Sequence, residues 1–234
     1  MLWFYILFLS GLSANAASSL PPESIVERFV SATRGQAQAF EGSSMEVEIR
    51  ASLPKLKKHG RLHALRRISA VGRIIYERPT FEGDDTVKKQ VIARYLAGEI
   101  EAQTNKSHSM AVTPNNYNFK YKRDEQLDGR PAHVFSLTPK KRDDGMFKGE
   151  IWIDSDTYLE VKEAGSLVKN PSILIKRVSF LRKYAIRDGI SIPTQLETVT
   201  ETRLWGQAQL EVDYSNFSVD TPPPFVQSLD DDGQ

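Results

Sequence analysis

Few residues of this chain are spaced for chemistry. The best arranged are Asp154-Ser155-Asp156-Thr157, two carboxylates and two hydroxyls that follow the apolar run Ile151-Trp152-Ile153. An aspartyl nucleophile for phosphoryl transfer needs one more residue between its second Asp and its Thr. It also needs a parallel βαβ frame with a helix behind the loop. The sequence supplies none of these, so the four residues read as a hairpin turn. His59 and His63 stand at the separation of a zinc-binding helix, but no Glu lies between them and Gly60 opposes a helix there. His108 and His133 have no Ser and Asp around them in a recognisable triad order. There is no Gly-x-Ser-x-Gly elbow, Walker loop or Gly-x-Gly-x-x-Gly. With no Cys, thiol nucleophiles, thiolate metal sites, disulfides and a lipidated N-terminal Cys are excluded. The expectation is a protein that is not an enzyme, with no catalytic residue, metal or cofactor.

The charge balance removes further classes. Lys and Arg number 31 against 30 Asp and Glu in 234 residues, which gives no field for nucleic acid or for wholesale attraction to anionic membranes. Apolar residues make up 40% of the chain, enough to bury a core and far from the composition of disorder. One local imbalance stands out. Between Glu48 and Glu77 there are Lys and Arg and no acid, and Lys55, Lys57, Lys58, Arg61, Arg66 and Arg67 are candidates to dock on anionic head groups or an acidic partner. The plain alternative is a solvated outer strand face with a Lys-protected edge.

The first residues carry an address. Leu2-Trp3-Phe4-Tyr5-Ile6-Leu7-Phe8-Leu9 is too short to cross a hydrocarbon layer that takes about 20 apolar residues. It reads as the apolar region of a signal peptide, and Ala14-Asn15-Ala16 offers the small residues a signal peptidase fits. Residues 1–16 are the expected signal peptide, cut before Ala17, leaving an exported, soluble, non-lipidated protein of a periplasm-like space. The Lys or Arg usual ahead of the apolar run is missing, which keeps a mis-assigned start codon and an uncleaved anchor open.

Periodicity then lays out one domain over residues 17–217. Pro21-Pro22 starts an amphipathic helix whose apolar face is Ile25, Val26, Phe29 and Val30, ending near Gly35. Met45, Val47, Ile49, Ala51 and Leu53 alternate with polar residues and predict a strand with one buried face. Two more strands follow, and then a helix capped at Asp84 or Asp85 with Val87, Val91, Ile92, Tyr95 and Leu96 as its stripe. Beyond it the chain is nearly continuous strand and short turn, in which neighbours in sequence are expected to be neighbours in the sheet. Residues 218–234, with Pro222-Pro223-Pro224 and Asp230-Asp231-Asp232, read as a Pro-rich, acidic tail.

The fold class is therefore α+β: a strongly curved antiparallel sheet of 9–11 strands, an incomplete barrel, with two helices near the N-terminus covering its concave face. The helices either fill the concavity as ordinary core or form a movable cover over a cavity for an apolar ligand. Phe119, Tyr121, Phe135, Leu137, Ile151, Ile153, Phe180 and Leu210 are the candidate wall of such a cavity; all eight serve equally well as packing.

The order of these elements resembles the periplasmic outer-membrane lipoprotein-sorting carriers, the LolA/LolB-like superfamily. Thr113-Pro114-Asn115-Asn116-Tyr117-Asn118-Phe119, Phe147-Lys148-Gly149-Glu150-Ile151-Trp152-Ile153-Asp154 and Leu204-Trp205-Gly206 are similar to segments of uncharacterised secreted proteins of that superfamily. The resemblance implies an incomplete antiparallel barrel with helices in its mouth and binding of the acyl chains of a lipid or lipoprotein in the apolar interior. It also implies an outer-membrane or periplasmic acceptor protein and only peripheral contact with a membrane. No family residue carries over to a numbered position. The alternatives are a periplasmic protein-interaction or sensor module on the same fold and, behind it, a hydrolase.

Overall fold

The computed structural model describes residues 20–104 and 111–219. The expected signal peptide, His108 and the Pro-rich, acidic run lie outside the described residues. No described helix is long and apolar enough to cross a membrane.

The helix α1 runs Pro22–Thr33, with proline in its first turn and Ile25, Val26 and Phe29 buried as its sequence stripe requires. It stops where Arg34 turns extended and Gly35 takes φ 87°, a left-handed conformation that glycine adopts at little cost. A single turn, α2 (Gln36–Ala39), follows. The second expected helix is built from α3 (Asp85–Val87), a π turn over Lys88–Ile92 and α4 (Ala93–Thr104). Its cap is Asp84, whose carboxylate accepts from the Thr86 backbone N–H at 2.7 Å, one residue ahead of Asp85. Gly98 lies inside α4.

Ten strands make one antiparallel sheet: β1 (Ser43–Leu53), β2 (Lys58–Ile68), β3 (Ile74–Gly83), β4 (Tyr117–Leu127), β5 (Arg130–Pro139), β6 (Phe147–Asp154), β7 (Glu160–Leu167), β8 (Ile175–Arg187), β9 (Ile190–Thr202) and β10 (Gln207–Val219). Strand β10 runs two residues into the stretch expected as tail. The spatial order is β3-β2-β1-β10-β9-β8-β7-β6-β5-β4, so the sheet stays open, with β3 and β4 at its edges. One departure from a plain meander decides the architecture. Strand β1 pairs with β10, for instance Ala51 with Leu210, which sends the consecutive strands β3 and β4 to opposite edges. The connection between those edges contains α3 and α4.

Alternation works as the sequence predicts: on β1 the odd-numbered residues Met45, Val47, Ile49, Ala51 and Leu53 are buried. The core on this sheet has two parts. Under α1, the buried residues Ile25, Val26, Phe29, Tyr117, Phe135, Leu137, Phe147, Ile151 and Ile153 form one cluster. Under α3 and α4, residues of β1, β2, β9 and β10 form another, with Val87 and Ile92 from the helix side. Phe180 touches both.

Candidate functional site

The two halves of the sheet are filled differently. Beneath α1 the aromatic rings interlock: Phe119 lies 6.2 Å from both Phe29 and Phe135, and Tyr117 lies 5.5 Å from Phe147. Among the candidate wall residues, Phe119, Phe135, Leu137, Ile151 and Ile153 all belong to this cluster. Tyr121 packs its ring edge-on against Phe135 and is partly open to solvent. Phe180 stands at the junction, its ring 5.0 Å from Phe147. Leu210 alone of the eight lines the large cavity described next.

That cavity, about 940 Å³, lies between α2, α4 and the faces of β1, β8, β9 and β10. Phe40, Met45, Val91, Leu196, Leu210 and Trp205 supply much of its apolar wall. Three polar groupings interrupt it. Arg66 of β2 shares the inward parity of Leu62, Ala64 and Ile68, and is 8% exposed. Its Nε and Nη2 donate to Glu99 Oε1 of α4 at 3.0 and 2.7 Å, and the Tyr76 hydroxyl donates to the other Glu99 oxygen. Burial opposes the Arg66 charge, but Glu99 holds its pKa above the ordinary value; burial first, and then Glu99, push the Tyr76 hydroxyl well up. This triad ties α4 to β2 and β3. Across the cavity the hydroxyls of Tyr95 and Tyr214 meet at 3.1 Å.

The third grouping sits on β7 and β8. Arg182 Nη1 lies 3.2 Å from Glu163 Oε2, which also accepts from the Tyr184 hydroxyl at 3.1 Å. Glu160 faces this group, because a bulge between β6 and β7 places Ile153 opposite Glu160 and Ile151 opposite Glu163. Its Oε2 is buried with no hydrogen-bond partner. Burial, and then the neighbouring Glu163 charge, push the Glu160 carboxyl up to about 7. Gln90, on the π turn, likewise lines the cavity and has a buried, unpartnered Oε1. A cavity with two orphaned acceptors suits a ligand that brings hydrogen-bond donors as well as apolar surface. The α2 cover is held at one end by Gln36, which accepts from the Ser191 backbone N–H at 3.0 Å and donates to the Gly189 carbonyl at 2.9 Å.

The docking candidates divide by face. Arg61 pairs with Glu48 at 3.1 Å and Arg67 with Glu77 at 3.2 Å, both on the outer face. Lys58 pairs with Asp84 at 3.2 Å, and Arg66 is the buried partner of Glu99. Lys55 and Lys57 are exposed on the β1–β2 turn. Four of these six cations are thus paired in space with acids from β1, β3 and the helix side.

Asp154 serves the turn. Its Oδ1 accepts from the Thr157 backbone N–H at 2.9 Å and the Thr157 hydroxyl at 2.8 Å, and its Oδ2 from Arg130 Nε at 2.9 Å. Burial works against its charge, but the Thr157 and Arg130 bonds hold its pKa below the usual carboxylate value. His133 Nδ1 lies 2.6 Å from Asp124 Oδ1 across β4 and β5.

Sequence reasoning missed Arg66, Glu160, Glu163 and Arg182 as the polar frame of the cavity. The signal is charge at core parity: Arg66 alternates in step with Leu62 and Ala64, and Arg182 with Val178, Phe180 and Tyr184. Thr198, Thr200 and Thr202 repeat on one parity of β9 and also line the cavity.

Solved chains similar to this one include a DUF1329 family protein from Desulfovibrio piger, at 14% identity and TM-score 0.47, covering 88% of this chain and 95% of that one. A LolA superfamily protein from Nitrosomonas europaea shows 14% identity and TM-score 0.39, covering 88% of this chain and 96% of that one. An outer membrane lipoprotein-sorting protein domain from Vibrio parahaemolyticus shows 14% identity and TM-score 0.39, covering 86% of this chain and 92% of that one. The superfamily that the sequence segments resemble recurs among these. No curated protein matches the chain. A family model described as "Uncharacterized protein" matches residues 104–224, a little over half of the sequence, and the chain belongs to that family.

Proposed function

We propose that the chain is an exported, non-catalytic carrier of lipid or lipoprotein acyl chains, working in the periplasm after signal-peptide cleavage and handing its cargo to an outer-membrane or periplasmic acceptor. The observation that supports this is the cavity of about 940 Å³ beneath α2 and α4, within the volume range of small-molecule sites. Each methylene taken from water into such a wall is stabilised by about 0.8 kcal/mol, so a single acyl chain supplies enough binding free energy for capture. The orphaned acceptors on Gln90 and Glu160 suit donor groups near the head of the ligand. Release asks for a cover that can shift; the polar links that fasten it are Gln36 for α2, Lys58 at the start of the helix, and Glu99 with Arg66 and Tyr76 and Tyr95 with Tyr214 for α4.

Native mass spectrometry of freshly purified protein tests the reading. Co-purified lipid, together with saturable uptake of a fluorescent fatty acid after delipidation, is the expected result. A lipid-free chain that excludes such probes, while an envelope extract yields a stoichiometric protein partner, would overturn it in favour of an interaction module.

A further inference from the structure

Antiparallel order places the turns between β1 and β2, between β9 and β10, and between β7 and β8 at one end of the sheet, because β1, β10, β9, β8 and β7 are successive neighbours. The contacts agree: Arg203 donates from its backbone N–H to the Leu174 carbonyl and from Nε to the Ile173 carbonyl, both at 2.9 Å. Gly206 approaches the Lys55 side chain. Each of these three tips carries a large apolar side chain in solvent: Leu56 at 41% exposure, Leu204 at 59%, and Ile173 at 85% with Leu174 at 37%. Single exposed leucines are commonplace, but four on adjoining tips form a patch. Leu174, Leu204, Pro171 and Trp205 also line the cavity, so the patch borders it at this end of the sheet.

The charges on these tips are of one sign. Residues 54–57, 168–174 and 203–206 contain Lys55, Lys57, Lys169 and Arg203 and no acid, and Lys176 and Arg177 follow at the start of β8. Lys169 pairs with Asp144 of a flanking loop. Lys55, Lys57, Lys176, Arg177 and Arg203 have no acidic partner among the described residues. The opposite end of the sheet is mixed in charge: exposed Asp128, Asp156 and Asp188 stand there with exposed Arg73, Arg130 and Arg187. The three tips are therefore apolar and cationic and border the cavity.

We propose that the Leu56–Ile173–Leu204 end docks on an anionic bilayer surface, its apolar tips entering the head-group layer and its Lys and Arg lying against lipid phosphates. Apolar tips ringed by cations are how a soluble protein gains an interfacial foothold, since neither burial nor charge alone holds it there. In this orientation the Leu174 and Leu204 wall of the cavity faces the bilayer, and acyl chains entering on that side pass between the two without crossing water. That last step rests on the carrier reading; the docking itself does not.

The chain has no Cys, so single-Cys variants of the full chain report on one site at a time. Ile173→Cys and Leu204→Cys, each labelled with an environment-sensitive fluorophore, are mixed with phosphatidylglycerol/phosphatidylcholine vesicles and with pure phosphatidylcholine. Val71→Cys, on the exposed β2–β3 turn at the other end, is the control. A blue shift at positions 173 and 204 on anionic vesicles only, weakening with salt and absent at 71, is expected. Lys55→Gln with Lys57→Gln should lower partitioning roughly tenfold or more. No shift at 173, an equal shift at 71, or equal response to neutral vesicles would overturn the proposal. Uptake of a soluble fatty acid without vesicles reads the cavity separately: docking without uptake upholds this surface and removes the carrier reading.

Discussion

Beneath α1, strands β4, β5 and β6 close with the helix into an aromatic core; beneath α4, the same sheet borders a hollow. Both halves follow the same period-two alternation, so alternation does not determine which half is filled. Side-chain size and charge do. The α1 half meets the sheet with Phe29, Phe119, Phe135 and Phe147, rings that reach the middle of the space. The other half presents Thr198, Thr200, Ala208 and Leu210, and its long residues are charged: Arg66 is tied to Glu99 of the helix and Arg182 to Glu163, while Glu160 stands beside them unpartnered. Buried charge here acts as a spacer that apolar side chains would not maintain.

The largest effect expected lies in the solid half. Phe135→Ala removes a fully buried ring contacting Phe119 and Tyr121, and should destabilise by about 3–5 kcal/mol in urea unfolding. A loss below about 1 kcal/mol would mean that this half is loosely packed and that the contrast is false. Next comes the frame of the hollow. Arg66→Met strands the Glu99 carboxylate beside Tyr76 in a site screened from water, and should cost about 3 kcal/mol at neutral pH. Glu99→Gln added to Arg66→Met should return much of that loss, since the stranded charge is then gone; a double variant no better than the single would show that Arg66 acts through packing.

Acidity sharpens the contrast further. The Glu160 carboxyl, pushed up to about 7 by burial and by Glu163, binds protons in the folded state that the unfolded chain has released by about pH 5. The groups facing it are Glu163 of its own strand and Arg182 and Tyr184 of β8. Its contribution therefore declines as pH rises from the unfolded carboxylate range through about 7. Glu160→Gln should be more stable than the parent by about 3 kcal/mol at pH 8 and near parity at pH 4, read by chemical denaturation at both values. A constant difference across that window would show that Glu160 stays ionised throughout.

Much of this fold is legible in the sequence because its rules are local. The run Met45 to Leu53 shows its buried face by alternation, and Pro21-Pro22 marks the start of α1. The pairing of β1 with β10 is not legible, since nothing in residues 43–53 names a partner some 160 positions away. Site residues fail for a related reason. Phe119, Phe135, Leu137, Ile151 and Ile153 are inward-facing, as Leu210 is, but facing inward does not distinguish a core from a wall. The distinguishing mark was Arg66 at a position where Leu62 and Ala64 call for an apolar residue, a discrepancy that counting charge along residues 48–77 hides.

A matched pair of enlargements separates the halves most directly. Leu137→Phe adds volume where no described residue leaves room and should lower stability by about 2 kcal/mol, because the surrounding rings cannot yield without leaving their rotamers. Leu210→Phe projects the same extra volume into the hollow, and its cost should stay below about 1 kcal/mol. Thermal unfolding ranks the two, and fatty-acid uptake supplies the second axis: the carrier reading expects Leu210→Phe to reduce capacity with little change in melting temperature, and Leu137→Phe to do the reverse. Equal destabilisation by both would mean that the space beside Leu210 closes in solution, and the division of the concave face would then be one of residue type alone.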